Sequence, residues 1–383
     1  MQCDYFDSRR CRSCTLMNVP YAVQLADKQD RVAQALADVA PDGIWLEPFA
    51  SAESAFRNKA KLVAGGRAGA VTLGILDPEG QGVDLRACGL HEPELQALIP
   101  RVADVVDALG LEPYDVPSRR GELKHVLLTR SPAGAVMLRL VLRSRRHLAL
   151  LESRLPLVLE QLPEVTVASV NLQPEHKAVL EGDTEIVLTP RDVLTMPVNG
   201  LALNLRPNSF FQTNTAVAAG LYRQAQDWMR ESTPDAVLDL YCGVGGFALH
   251  AAQAGVRQVL GVELSPDAVR SAERTAGQLQ LAPGARVRFR VGDATDFSTL
   301  EPDLLSGAAA TVVVNPPRRG IGPQLAGWLE GSDAQRVVYS SCNVTSLARD
   351  LAAMPSFTTR QGRLFDMFPQ TAHHEVIVLL ERR

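Results

Sequence analysis

Residues 237–249 read VLDLYCGVGGFAL. An apolar run suited to a buried strand passes directly into a turn containing Gly243, Gly245 and Gly246, and an apolar helical stretch follows. A strand, a glycine-rich turn and a helix in that order open the ligand crevice of doubly wound α/β folds. The three glycines are expected to leave room for a ligand to approach the backbone. Taken alone, the turn is a weak signal that leaves both NAD and S-adenosylmethionine open.

The flanking sequence strengthens the fold reading. QVLGVEL (258–264), RVRFRVGD (286–293), AATVVVNPP (309–317) and RVVYSSC (336–342) are short apolar runs, most of them separated by helical stretches. That alternation predicts a Rossmann-like, doubly wound, mainly parallel sheet over residues 206–383. FTTRQGRLFDMF (357–368) and EVIVLLER (375–382) are expected to close it as an antiparallel pair. Upstream, helical spacing marks residues 21–39, 93–109 and about 147–161. Strand-like runs fill much of 44–90 and 122–205, so residues 1–205 read as a separate α+β region with a mainly antiparallel sheet.

Composition sets outer limits. In 383 residues, 46% hydrophobic and 21% charged side chains suffice for a sizeable core and argue against disorder. A net charge of −4 argues against a generic nucleic-acid coat, though not against an enzyme with a local basic groove. Clusters of the second kind occur at Arg57, Lys59 and Lys61; at Arg119, Arg120 and Lys124; at Arg139, Arg143, Arg145 and Arg146; and at Arg318 with Arg319. Most suit ordinary solvated faces. Arg318 and Arg319 adjoin the catalytic loop described below and are expected to meet phosphate. No apolar run is long enough for a membrane span, and MQCDYFDSRRCRSC at the N-terminus lacks the apolar core of a signal peptide. A cytoplasmic protein with reduced thiols is expected.

Two carboxylates favour S-adenosylmethionine. Glu263 ends the second strand, 20 residues after Gly243, where a carboxylate accepts from both ribose hydroxyls. Asp293 lies in GDAT after the third strand and is expected to accept from the adenine amino group, with helix N-capping as its competing role.

The next two strand ends carry reactive groups. VVVNPPRRGIG (312–322) sets Asn315, Pro316 and Pro317 at the carboxyl edge, resembling the substrate loop of nucleic-acid amino-methyltransferases. VVYSSCNVTSLARD (337–350) sets Cys342 at the following strand end, before a helix whose N-terminus favours a thiolate. A lone cysteine is as often structural. Next to Asn315 and a cofactor turn, the nucleophile is the better reading. Carbon 5 of uracil is too weak a nucleophile to attack a sulfonium methyl, and thiolate addition at carbon 6 converts it into an enolate nucleophilic at carbon 5. A base must then remove the carbon 5 proton. FPQTAHHEVIVLL (368–380) offers Glu375, with His373 and His374 adjacent, and spacing does not choose among the three.

LDLYCGVGGF, NPPRRGIG, SSCN and TAHHEV in this order, with SFFQTN at 209–214, resemble the RNA uracil-C5 methyltransferases that make 5-methyluridine. The resemblance extends over essentially the whole chain. It is greatest to the short bacterial branch that lacks an N-terminal TRAM domain and methylates a single uracil of 23S ribosomal RNA. It implies S-adenosylmethionine binding by Gln212, Tyr241, Glu263 and Asn315, a nucleophile in Cys342 and a base in Glu375. Tyr241 departs from the phenylalanine expected there, keeping the ring and adding a hydroxyl that needs a partner.

Cys3, Cys11, Cys14 and Cys88 remain. Disulfides are improbable in a cytoplasmic chain, and spacing leaves zinc and an iron–sulfur cluster level. The resemblance implies a [4Fe-4S] cluster on these four, with a structural role. The implied partner is a loop uridine of 23S ribosomal RNA, since an unpaired base is cheaper to extrude. No membrane and no obligate protein partner is expected. Two other classes compete: a purine amino-methyltransferase that would not need Cys342, and an inactive methyltransferase fold serving as an iron–sulfur RNA-binding or redox-sensing protein.

Overall fold

In the computed structural model, residues 1–177, 179–296, 304–305 and 309–383 are described, and all structural statements below concern these. They form two compact units. One comprises Met1–Cys14, Glu53–Pro197 and Arg206–Asn208; the other comprises Thr15–Ala52, Val198–Leu205 and Ser209–Arg383. The division is discontinuous in sequence, whereas the sequence alone suggests a single boundary at 205/206.

In chain order the elements begin with α1 (Asp4–Asp7) and α2 (Tyr21–Ala35). Three strands follow, β1 (Lys59–Arg67), β2 (Ala70–Leu76) and β3 (Gly82–Asp84), then α3 (Pro93–Ala108), β4 (Leu123–Arg130) and β5 (Val136–Leu142). Next come α4 (Leu148–Gln161), β6 (Val165–Leu172), β7 (Thr184–Val187), β8 (Leu194–Val198) and β9 (Leu201–Leu205).

The first unit is built on a seven-stranded sheet in the order β3-β2-β1-β4-β5-β6-β7. Its neighbours pair antiparallel except β5 and β6, which α4 joins as a parallel crossover. Alternation along β1 and β4 sends Leu62, Ala64, Val126 and Leu128 to one face, where they share a core with Val102 of α3 and Leu151 of α4. Fully burying each such aliphatic side chain contributes about 1.5–3 kcal/mol. Arg139, part of an expected basic face, is instead only 2% exposed and is gripped by Glu185, Glu181 and the Asn208 side chain.

In the second unit, α5 (Thr215–Ser232) precedes β10 (Ala236–Leu240), α6 (Gly246–Gln253), β11 (Gln258–Glu263), α7 (Pro266–Ala276) and β12 (Arg286–Val291). After these come β13 (Ala310–Val314), α8 (Gly322–Gly331), β14 (Arg336–Ser341), α9 (Val344–Ala352), β15 (Phe357–Phe365) and β16 (Glu375–Arg382). The strand order is β12-β11-β10-β13-β14-β16-β15, with the first five parallel and the last two antiparallel. This is the doubly wound, methyltransferase-like sheet expected from the alternating runs. Helix starts follow local chemistry: Ser265 accepts from the Ala268 N–H at the start of α7, with Pro266 in the first turn.

Helix α2 belongs to this unit although it precedes it by almost 200 residues of sequence. Its inner stripe is Gln24, Lys28 and Val32, one residue every four. Two of the three are polar because their partners lie in the loop before β16. Lys28 Nζ is 2.6 Å from Asp366 Oδ1, both side chains fully buried, and also donates to the Phe368 carbonyl. Gln24 donates to Gln370 Oε1 and accepts from the Gln370 N–H, each at 3.0 Å.

Candidate active site

The carboxyl edge of the parallel sheet opens into a cavity of about 630 Å3. It is lined by Gln212, Tyr241, Glu263, Asp293, Asn315, Cys342 and Glu375, all seven of the residues assigned from sequence to the cofactor or the chemistry. They come from seven different loops or strand ends; five lie at the carboxyl ends of parallel strands β10 to β14, which all face one side, and Gln212 and Glu375 join them from the segment before α5 and the start of antiparallel β16.

The turn after β10 holds Tyr241, Gly243 and Gly245 at positive φ, 62°, 54° and 85°. The glycines do not serve one purpose. A Cβ on Gly245 would lie 2.9 Å from Phe289 Cζ, and one on Gly246 would lie 2.6 Å from Tyr222 Cζ. Gly245 and Gly246 therefore make room for neighbouring rings, a packing role beyond the one expected from sequence. Around Gly243 nothing lies within 4 Å of an added Cβ, so only its left-handed backbone demands glycine.

Glu263 is oriented by backbone on both sides. Its Oε2 accepts from the Gly243 N–H at 3.1 Å and its Oε1 from the Ser265 N–H at 2.9 Å. Asp293 lines the cavity while accepting from the Thr295 N–H and hydroxyl at 2.9 and 2.8 Å, bonds that close a local turn. Those bonds hold its carboxyl below the usual range.

Asp239, unremarked in the sequence reading, lies fully buried in β10. Burial pushes its carboxyl up to about 8, although Oδ2 accepts from the Ala248 N–H at 2.8 Å and draws it back. The signal was present in sequence as an acid inside an apolar strand.

Cys342 follows the end of β14, and Glu375 opens β16. The antiparallel register pairs Ser341 with Val376, which places the nucleophile candidate and the base candidate at the same end of adjacent strands. Burial, then the nearby Glu375, pushes the Cys342 thiol above its ordinary value, opposed by Arg318 through charge and a hydrogen bond. The lowered thiol expected from a helix N-terminus is therefore not what the free site holds. Asn343 intervenes and caps α9, accepting from the Thr345 N–H at 3.2 Å.

Burial also raises Glu375 to about 7, against the lowering effect of the Ser340 hydroxyl, which donates to Oε1 at 2.7 Å. Of the three adjacent candidates for the base, Glu375 faces the cavity, while His373 is exposed to solvent.

The loop bearing Asn315 is anchored from α9. The Arg318 carbonyl accepts from Asn343 Nδ2 at 2.9 Å and from the Ser346 hydroxyl at 3.1 Å, and Arg349 donates to the Arg319 carbonyl at 2.7 Å. Gly320 sits at φ +79°, with Asp350 Oδ2 only 2.2 Å from where a Cβ would stand, so the anchor tolerates no side chain there. Cys242, also in the cavity wall, is buried, and its thiol is pushed well above the ordinary value.

In the first unit the thiols of Cys3, Cys11, Cys14 and Cys88 converge. Cys14 is raised to about 11, chiefly by burial, with Cys88, Cys11 and Cys3 each adding repulsion. Among the described residues, no group of three or more His, Cys, Asp or Glu side chains is set to grip a single metal ion. No helix among them is long and apolar enough to cross a membrane.

A Rossmann-like sheet whose cofactor turn, carboxylate-ended strands and Asn-Pro-Pro loop share one crevice defines a methyltransferase fold. A crystallised Pyrococcus abyssi tRNA (uracil-54, C5)-methyltransferase in complex with S-adenosyl-L-homocysteine has the same overall fold, with a TM-score of 0.79 at 23% identity over 97% of this chain and 84% of that one. The chain belongs to the tRNA (uracil-5-)-methyltransferase family, whose model matches residues 183–383. The 23S rRNA (uracil(747)-C(5))-methyltransferase of Halothiobacillus neapolitanus is 46% identical over the full length of both chains. Proteins of the same description from Yersinia enterocolitica and Escherichia coli are 44% and 42% identical, covering 99% or more of both chains.

Proposed function

We propose that the protein transfers a methyl group from S-adenosylmethionine to carbon 5 of a single uridine in 23S ribosomal RNA, the position numbered 747 in the names of its relatives. The observation that carries this reading is the meeting of Cys342 and Glu375, from adjacent strands β14 and β16, in the same cavity as the glycine-rich cofactor turn. A purine amino-methyltransferase has no use for that pair. The setting is the cytoplasm, where ribosomal RNA is found.

S-adenosylmethionine supplies an electrophilic methyl group when bound. Gln212, Tyr241, Glu263, Asp293 and Asn315 line the cavity and would hold it, Glu263 through the ribose hydroxyls and Asp293 through the adenine amino group. Cys342 Sγ adds to carbon 6 of the uracil, breaking the 5,6 double bond and leaving an enolate nucleophilic at carbon 5. Carbon 5 takes the methyl group as the sulfonium C–S bond breaks, its electron pair leaving with S-adenosylhomocysteine, and Glu375 then takes the carbon 5 proton. The electron pair of that C–H bond restores the double bond and expels the thiolate. Arg318 favours the thiolate at both ends of the cycle. A base buried and raised to about 7 is matched to proton removal near neutrality.

Cys3, Cys11, Cys14 and Cys88 hold a [4Fe-4S] cluster in this reading. It is supported by the closeness of the thiols, since Cys88, Cys11 and Cys3 all act electrostatically on Cys14, and four cysteines suit such a cluster. The cluster would tie the N-terminal segment to the chain near residue 88 and serve a structural role.

The test is a trap. Glu375→Gln can form the bond at carbon 6 but cannot clear it. With unmodified 23S RNA and methyl-labelled cofactor it should accumulate a labelled protein–RNA adduct stable on denaturing gels, while turnover falls by about a hundred- to ten-thousand-fold. The adduct should vanish in the Cys342→Ala, Glu375→Gln double variant. Normal turnover in Cys342→Ala, or label on a purine, would overturn the reading. Trapping by His373→Ala or His374→Ala instead would move the base to a neighbour.

A further inference from the structure

A second cavity, of about 510 Å3, opens in the first unit, and none of the residues assigned above to catalysis or cofactor lines it. Its walls include Val63, Tyr114, Lys124, His125, His176 and Lys177. Val63 and His125 are register partners on β1 and β4. Their side chains leave the sheet on the face opposite Leu62 and Val126, which belong to the core beneath α3 and α4. The volume lies within the range of small-ligand sites, roughly 300–1,000 Å3.

The groups in it are built rather than incidental. The Tyr114 hydroxyl and His176 Nδ1 are 2.9 Å apart, and their rings meet at 6.2 Å and 55°. Lys124 is buried with its ammonium 4.7 Å from the Tyr114 ring centroid, donating to the Glu175 carbonyl and to Gln173 Oε1. Lys177 stands exposed at the rim, paired with Glu175. His125 is the unsatisfied member. Burial pushes it down to about 4, so its ring is neutral, and its hydrogen bond to the Leu180 backbone commits one nitrogen as donor. Nδ1 is then a bare acceptor, buried and without a partner. A buried acceptor left unpaired is costly until an N–H donor arrives.

We propose that this cavity receives an unpaired nucleotide of the RNA substrate other than the methylated uridine, its base lying against Tyr114 and His176 and donating an N–H to His125 Nδ1. Every nucleobase carries such a donor on its Watson–Crick edge, and pairing consumes it, so the acceptor selects for unpaired rather than for sequence. The aromatic wall is equally tolerant of base identity, and the rim lysine suits the attached phosphate. The proposal rests on the reading of the protein as an RNA methyltransferase and adds a second contact that positions the loop.

The experiment has two arms on the full-length protein. In the first, a five-nucleotide oligoadenylate, which contains no uracil, is titrated against protein labelled with 15N-histidine. The single strand should perturb the His125 ring nitrogens saturably, and a long, blunt, fully paired RNA duplex that is stable at the assay temperature should not. His176→Ala, at an exposed position, should weaken binding about ten-fold, and His125→Phe, which keeps a ring but removes the acceptor, by a similar factor. In the second arm, both variants should raise KM for unmodified 23S RNA about ten-fold with kcat and cofactor affinity unchanged. No perturbation at His125, or equal perturbation by the duplex, overturns the proposal. Oligonucleotide binding with an unchanged RNA KM also overturns it, because the occupant is then not the substrate. Perturbation of His125 in a protein that methylates no RNA upholds the nucleotide site and sinks the activity reading instead.

Discussion

The Ser340 hydroxyl donates to Glu375 Oε1 at 2.7 Å, with both side chains buried. It is the one interaction that draws the Glu375 carboxyl down against a burial that lifts it to about 7. In the proposed role of base, Glu375 must be unprotonated, so kcat/KM should rise with pH through about 7 rather than through the ordinary carboxylate range. Ser340→Ala removes the lowering bond, and the inflection should move to higher pH with activity lost at pH 7 and partly regained at pH 8.5. A pH–rate profile that does not move would remove Ser340 from this role.

The same carboxyl has a stability consequence. Its folded-state value lies above the ordinary 4.5, so below pH 4.5 it is protonated whether folded or unfolded and costs nothing. As pH rises through 4.5 to 7 the unfolded chain ionises first, and the folded state loses ground. Glu375→Gln, always neutral, should therefore stabilise the protein above pH 7 by on the order of 2–3 kcal/mol and leave it unchanged at pH 4. Urea denaturation at the two pH values measures this.

Arg318 is the cation that favours the Cys342 thiolate, against burial and Glu375. Arg318→Met should shift the pH dependence of Cys342 alkylation upward and slow adduct formation, with cofactor affinity little changed. Iodoacetamide labelling read by mass spectrometry separates Cys342, which is half-buried, from Cys242, which is buried and should stay unlabelled in the folded protein. Equal labelling rates with and without Arg318 would remove this role.

Lys28 and Asp366 form an ion pair with no exposed side-chain surface, and Asp366 Oδ2 has no partner besides. Lys28→Met would strand that carboxylate and should cost about 3–5 kcal/mol. Lys28→Met with Asp366→Leu should recover much of it. Because Lys28 also holds the Phe368 carbonyl, and Phe368 lines the catalytic cavity, the double variant should fold yet lose turnover.

If the four convergent thiols hold a cubane cluster, protein purified without oxygen should be brown, with broad absorbance near about 400 nm. Cys88→Ser should bleach it and lower the melting temperature without changing cofactor affinity. A colourless protein with one equivalent of zinc would sink the assignment.

The parallel sheet, the cofactor turn and the strand-end residues Glu263, Asp293, Asn315 and Cys342 are legible in sequence because each rests on local chemistry, whereas Gln212 and Tyr241 come only from the family resemblance. An apolar run, a glycine-rich turn and a polar strand end are contiguous, and a doubly wound topology sends all strand ends to one edge. Asp239 and Ser340 do not stand out in sequence, and Arg318 reads there only as a phosphate contact, since their effects on protonation arise from burial or from a neighbour distant in sequence. The placement of Thr15–Ala52 with the catalytic unit was equally invisible. Its decisive contacts, Lys28 to Asp366 and Gln24 to Gln370, join residues more than 330 positions apart. Protonation states belonged wholly to the tertiary structure. Cys342 before a helix suggests a lowered thiol, but desolvation and an adjacent carboxylate reverse the sign, and the charge environment of a buried group is set by what folding packs around it.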